Sequence, residues 1–136
     1  MLESIRNPIM IDRILQTAPE IWSIYRFGSA DTLFERSDSD IDLAILSSKP
    51  LSSMARWELA QDLARHLRRD VDLVDLRSAS TVLRQQVFQH GRRIYCADRF
   101  LADEFESRTL SDYVRLNEAR RGILKDIYER GKIYAQ

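Results

Sequence analysis

Two aspartates separated by a single residue, Asp40 and Asp42, open the apolar run Asp-Ile-Asp-Leu-Ala-Ile-Leu over residues 40–46. Side chains alternate along a strand, so both carboxylates face one way, while Ile41, Leu43 and Ile45 face the other, toward covering helices. Two carboxylates held side by side repel each other unless a cation compensates them. Hard oxygen donors of this kind suit Mg²⁺, which keeps waters and substrate phosphates in its shell. The segment Asp70-Val-Asp72-Leu-Val-Asp75 reads as a second strand able to lie beside the first. Asp72 is the favoured third carboxylate because it shares a face with Val74 and Leu76. Asp70 lies on that same face at the strand edge beside Arg69, and Asp75 faces the opposite side; one register slip would exchange these roles. Three carboxylates on neighbouring strands can hold two metal ions roughly 3.5–4 Å apart. One ion would lower the pKa of an acceptor hydroxyl, and the other would bind a triphosphate and stabilise departing pyrophosphate. Asp40, Asp42 and Asp72 are therefore the candidate catalytic and metal-ligating residues.

Gly28-Ser29 supplies the complementary half, ten residues ahead of Asp40. A glycine lets backbone approach a phosphate closely, and a helix beginning just after it would offer free N–H groups to an anion. The Ser29 hydroxyl adds a donor, which makes Gly28 and Ser29 the candidate nucleotide-binding pair. The blander alternative is a Gly-Ser turn beside a solvated acidic strand edge. The strand–turn–helix–strand context around the pair favours the site.

The elements that must position these residues are legible from periodicity. Asn7-Pro8 looks like a helix start, with Ile11, Ile14, Leu15 and Ala18 at helical spacing and Pro19 ending the pattern. Residues 22–27 read as a strand, and a short helix fits Asp31–Phe34. Residues 53–68 form an amphipathic helix with Met54, Trp57, Ala60, Leu63, Ala64 and Leu67 on one side. A strand over Val71–Leu76, a helix over Ser78–Gln89 stopped by Gly91, and a strand over Arg92–Cys96 follow. The remainder, 98–134, is helical with an apolar face of Leu116, Ile123, Leu124 and Ile127; Thr109 and Asp112 fit a capping box, which would allow a break near residue 108. This order predicts an α/β (α+β) fold, a mixed β-sheet flanked by helices.

The chain has 136 residues, the size of a single domain, and its 21 basic and 21 acidic residues balance. That balance argues against direct nucleic-acid binding, which needs a basic excess. A metal ion could supply positive charge locally for work on nucleotides. A lone cysteine, Cys96, cannot form an intrachain disulfide and reads as a small residue near the core. No apolar run is long enough to span a membrane, and the first residues lack a secretion signal, so the expected location is cytoplasmic. His66 and His90 have no metal-like spacing and read as surface or capping residues. Arg65, His66, Arg68 and Arg69 form a basic run that is most simply a solvated face, with a nucleotide or partner contact as the alternative. Tyr113, Tyr128 and Tyr134 could cover the core or form a partner surface.

At Gly28-Ser29, ten residues and Asp40-Ile-Asp42, the sequence resembles the DNA polymerase beta nucleotidyltransferase superfamily, and most closely its minimal nucleotidyltransferases. The Leu-Ala-Ile-Leu that follows, the strand around Asp72, and Val87-Phe-Gln-His-Gly-Arg-Arg-Ile-Tyr95 extend the resemblance over roughly residues 5–96. It implies one nucleotidyltransferase domain over 1–136, with a core at about 5–96 and a C-terminal helical segment at about 98–134. It also implies triphosphate binding by Gly28 and Ser29 and metal ligation by Asp40, Asp42 and Asp72. Many members are antitoxins encoded beside a HEPN-type ribonuclease toxin. The implied activity is Mg²⁺-dependent transfer of AMP from ATP to a tyrosine hydroxyl of that toxin, by a protein adenylyltransferase in a hetero-oligomer with its target. One departure stands out: relatives often carry Arg directly after Gly-Ser, where this chain has Ala30-Asp31, and Arg36 is a candidate replacement. Two other functions compete. A small-molecule (aminoglycoside-type) nucleotidyltransferase would need a further domain to wall its substrate. A non-catalytic toxin-binding antitoxin would not need the three aspartates.

Overall fold

Among the described residues, four strands and four helices follow one another as α1 (Leu2–Thr17), β1 (Ile21–Phe27), β2 (Ile41–Ser47), α2 (Ser53–Leu67), β3 (Val71–Asp75), α3 (Thr81–His90), β4 (Arg92–Cys96) and α4 (Arg99–Tyr134). The computed structural model describes residues 2–18, 20–28 and 40–134. Pro19, Ser29, the expected helix at 31–34, and Arg36 lie outside them. The strands form one mixed sheet in the order β3-β2-β1-β4. β1 runs antiparallel to β2 and β4, and β2 and β3 are parallel. This is the expected fold class.

Apolar residues on alternate strand faces build two cores. Met10 and Ile14 of α1 and Leu59 and Leu63 of α2 pack on Ile24, Ile41, Leu43, Ile45 and Leu73. On the other face, Val87 of α3 packs with Tyr25, Ala44, Leu46 and Leu76, and Phe88 and Phe105 close over them. Burial of each large apolar side chain contributes about 1.5–3 kcal/mol. Register shifts within β1, between Ile21 and Ser23 and between Ile24 and Tyr25, break strict alternation. Trp22, Tyr25 and Phe27 thereby reach the same core.

Several boundaries differ from the sequence reading. Pro8 lies inside α1 instead of opening it, and the Asn7 side-chain oxygen accepts from Arg26 at 3.4 Å instead of capping. In α2, Ser52 is the N-cap, its hydroxyl accepting from the Ala55 N–H at 3.1 Å. Leu59 and Leu63 form its buried row, whereas Met54 and Trp57 are exposed. At 100° per residue, Trp57 lies roughly 200° from Leu59 and cannot join that row. α3 starts later than expected, at Thr81. The Asp75 carboxylate ties Arg77 N–H and Ser78 Oγ into a turn, leaving Ser80 to cap the helix. The break that the capping pattern allowed near residue 108 does not occur, and α4 runs unbroken for 36 residues. Thr109 is buried within it, and Asp112 pairs forward with Arg115 at 3.5 Å instead of closing a capping box. Cys96 is exposed, not near the core, because it ends the edge strand β4.

Candidate active site

The antiparallel pairing of β1 with β2 brings the C-terminal end of β1 against the N-terminal end of β2. Phe27 pairs with Asp42, which sets Gly28 beside that aspartate. The parallel pairing of β2 with β3 puts Asp42 and Asp72 directly opposite each other, on strands roughly 4.8 Å apart. Asp40 immediately precedes β2, and the neighbouring Ile41 N–H donates to the Asp70 carbonyl at 2.9 Å. One end of the sheet thus gathers Gly28, Asp40, Asp42 and Asp72. The expected register for Asp72 holds, since Val74 and Leu76 of the same face join the second core. Ser29 and Arg36 lie outside the described residues.

Electrostatics set this end apart. Burial raises the pKa of the Asp42 carboxyl above the ordinary carboxylate value, and the negative charges of Asp72 and then Asp40 raise it further. Among the described residues, no three acidic, histidine or cysteine side chains are already drawn together at metal-ligating distance. The three carboxylates stand as mutually repelling neighbours.

Gly28 has a φ of 76°, in the left-handed region. A Cβ built there would lie 2.1 Å from Asp42 Oδ2 and 3.2 Å from Asp42 Cβ. Any side chain would therefore push the carboxylate away, and moving the Asp42 Cβ requires moving β2 itself. The space that a side chain would need at Gly28 is occupied by the Asp42 carboxylate.

The other acidic candidates separate cleanly. Asp75 is 2 % exposed. Its carboxylate accepts from the N–H groups of Leu51 at 2.8 Å and Arg77 at 3.1 Å, and from Ser78 Oγ at 3.4 Å. It is a structural acceptor, on the side of β3 opposite to Asp72. The basic run divides as well. His66 Nδ1 lies 2.8 Å from the Asp62 carbonyl on the surface. Arg68 takes a left-handed conformation that ends α2, and Arg69 turns inward. Arg68, Arg69 and Asp70 line a shallow cavity of about 350 Å³ beside the start of β3. A second group of residues, Trp22, Arg77, Arg84 and Phe105, lies at the opposite end of the sheet. Sequence reasoning missed it, because its members come from four separate segments and share no motif.

The far half of α4 is exposed among the described residues. Ile123, Leu124, Ile127 and Tyr128 are each 60–71 % exposed. The expected apolar face therefore exists but faces outward, while the Tyr134 side chain lies outside the described residues. No helix among the described residues is long and apolar enough to cross a membrane.

Comparison with known proteins adds independent findings. The family described as polymerase beta nucleotidyltransferase matches residues 10–100. Protein adenylyltransferase MntA of Shewanella oneidensis is 41 % identical over 127 residues, covering 93 % of this chain and 90 % of that protein. The fold is similar to a solved structure of the tri-AMPylated Shewanella oneidensis HEPN toxin in complex with MNT antitoxin, with a TM-score of 0.76, 41 % identity, and coverage of 92 % of this chain and 98 % of that one. A crystal structure of a toxin–antitoxin with AMP-PNP is similar at a TM-score of 0.79 and 42 % identity, over 89 % of this chain and 97 % of that one.

Proposed function

We propose a specific activity for this chain, which belongs to the polymerase beta nucleotidyltransferase family: it is an antitoxin that transfers AMP from ATP to a tyrosine hydroxyl of a HEPN-type toxin. The observation that carries this reading is identity at 41 % with a protein adenylyltransferase along nearly the whole length of both chains. The likeness to an antitoxin in complex with a tri-AMPylated HEPN toxin supports the acceptor and the hetero-oligomer. The likeness to a toxin–antitoxin structure with AMP-PNP supports ATP as the donor. The reading covers one domain, in which the core at about 5–96 carries the chemistry and the helical segment at 98–134 offers its exposed apolar residues to the partner. ATP and an unpaired thiol both fit the cytoplasm.

Asp40, Asp42 and Asp72 would ligate Mg²⁺, with room in the scheme for two ions. The donor set fits: three carboxylates on one face carry a mutual repulsion that a divalent cation would relieve, and hard oxygen ligands match Mg²⁺. When bound, Mg²⁺ would neutralise triphosphate charge and lower the pKa of the acceptor hydroxyl. Gly28 keeps the Asp42 carboxylate seated beside the β1 end, and Ser29 would donate its hydroxyl to the triphosphate. The acceptor oxygen bonds to the α-phosphorus in line, the bond to the β-phosphate oxygen breaks, and pyrophosphate leaves. The hydroxyl proton passes to the carboxylate cluster.

The test is intact-mass measurement of the toxin encoded by the adjacent gene after incubation with this protein, ATP and Mg²⁺. The reading requires a gain in whole AMP units, absent with Asp40→Ala and with Asp42→Ala. A stable complex of unchanged mass would leave only a binding antitoxin.

A further inference from the structure

The group at the far end of the sheet has properties of its own. Trp22 is the second residue of β1 and Arg77 follows β3, each five residues from the carboxylate end of its strand, roughly 16 Å away. Together with Arg84 and Phe105 they border a cavity of about 290 Å³. The Arg77 guanidinium lies 4.7 Å from the Trp22 ring centre and 5.4 Å from that of Phe105, and the Arg84 guanidinium lies 5.0 Å from Phe105.

Both guanidiniums are fixed by backbone carbonyls. Arg77 Nε donates to the Ser47 carbonyl. Arg84 Nε donates to the Leu76 carbonyl at 2.6 Å, and one terminal nitrogen donates to the Arg77 carbonyl at 2.7 Å. A guanidinium has five N–H donors, so most of those on both arginines stay open among the described residues. Neither arginine has a carboxylate within ion-pair distance there. The acidic residues of the same cavity are already engaged, Glu104 by Arg108 at 3.0 Å and Asp112 by Arg115 at 3.5 Å. Two cations are thus held side by side by backbone carbonyls, with Asp112 and Asp75 acting on Arg84 only from beyond ion-pair distance. Burial lowers the pKa of Arg84, and the charge of Arg77 lowers it further.

We propose that this cavity is a binding site for a phosphate-type oxyanion, separate from the carboxylate end of the sheet. Paired guanidinium forks match the geometry of such an anion and retain their charge when desolvated. The volume lies at the small end of ligand sites, which accommodates inorganic phosphate or pyrophosphate. Aromatic walls keep the guanidiniums in place when the site is empty. Occupancy would tie together the start of β1, the turn after β3 and α4. The proposal does not depend on the transferase reading.

Trp22 reports directly on the site. In a Trp57→Phe protein it is the sole tryptophan, since the chain has two, and Trp57 is exposed on α2. Its emission is titrated with inorganic phosphate, pyrophosphate and chloride at matched ionic strength, with a chelator present to keep the carboxylate end metal-free. The expected result is a saturable change with phosphate or pyrophosphate in the millimolar range or below, absent with chloride, and a parallel rise in Tm. The tighter of the two anions identifies the ligand. Arg84→Lys keeps the charge but loses the fork and should weaken binding at least about fivefold. A change that never saturates, an equal response to chloride, or unaltered affinity in Arg84→Lys would overturn the proposal. If that variant does not fold, the anion comparison in the Trp57→Phe protein decides alone.

Discussion

Asp42 and Asp75 lie at opposite ends of neighbouring strands in one sheet, and their surroundings are reversed. Asp75 is buried and surrounded by donors: two backbone N–H groups and a serine hydroxyl. Asp42 is half-buried with two further carboxylates as its charged neighbours and a glycine against its oxygen. A carboxylate that serves the fold is given hydrogen-bond donors. Asp42 instead carries unrelieved repulsion from Asp72 and Asp40, a cost of the kind tolerated where function requires it.

Substitution at the two positions should separate the roles. Asp42→Asn should lower AMP transfer by roughly a thousandfold or more, as loss of a catalytic ligand does, while the protein stays folded; initial rates and a thermal melt check both. Asp75→Ala should do the reverse. It leaves buried N–H groups without an acceptor, for a stability loss of about 2–4 kcal/mol, read as a lower denaturant midpoint. If Asp75→Ala abolished transfer without loss of stability, the distinction would collapse. Gly28→Ala lies between the two. Its Cβ displaces the Asp42 carboxylate, and its backbone must hold a positive φ, so we expect roughly a hundredfold slower transfer and a loss of about 1–2 kcal/mol.

How much of this the sequence revealed follows from which signals are local. Asp40 and Asp42 were legible because a two-residue repeat in an apolar run has one structural meaning. Asp72 needed the register between β2 and β3, and its sequence face assignment held because Val74 and Leu76 had to reach the core. Asp75 could be placed on the opposite side, yet its donors come from Leu51 and from a turn whose shape only the fold determines. The α2 face was misread because Met54 and Trp57 are apolar, and apolar character alone does not fix which side of a helix is covered. The missing break in α4 has a similar origin: Thr109 and Asp112 satisfy a capping pattern, but the burial of Thr109 keeps the helix continuous. The Arg77–Arg84 cavity had no sequence signal, because cation–aromatic contacts across segments leave no spacing to read.

A smaller effect involves the Arg13–Asp62 pair, which joins α1 to α2 through two hydrogen bonds of 3.0 and 2.7 Å. The hydrogen bond from Arg13 holds the Asp62 carboxyl below its ordinary pKa. Its stabilisation is therefore present above the unfolded pKa and fades as pH falls through the lowered value. Arg13→Met should lower Tm slightly at neutral pH, lose that difference in acid, and leave transfer unchanged.

The most direct test uses the stability of the carboxylate end itself. The folded-state pKa of Asp42 lies above its unfolded value, so native protein binds its proton more tightly than unfolded chain. Ionised Asp42 thus destabilises the metal-free fold, and that cost appears as pH rises through the interval between the two values and is complete above it. Thermal melts of wild type and Asp42→Asn at neutral pH, with and without excess Mg²⁺ and a non-hydrolysable ATP analogue, measure the consequence. Without metal, Asp42→Asn should melt higher than wild type by up to roughly 4 °C. With Mg²⁺ and the analogue, wild type should rise and overtake it. Equal responses of the two proteins to Mg²⁺ would contradict the assignment of this sheet end as the metal site.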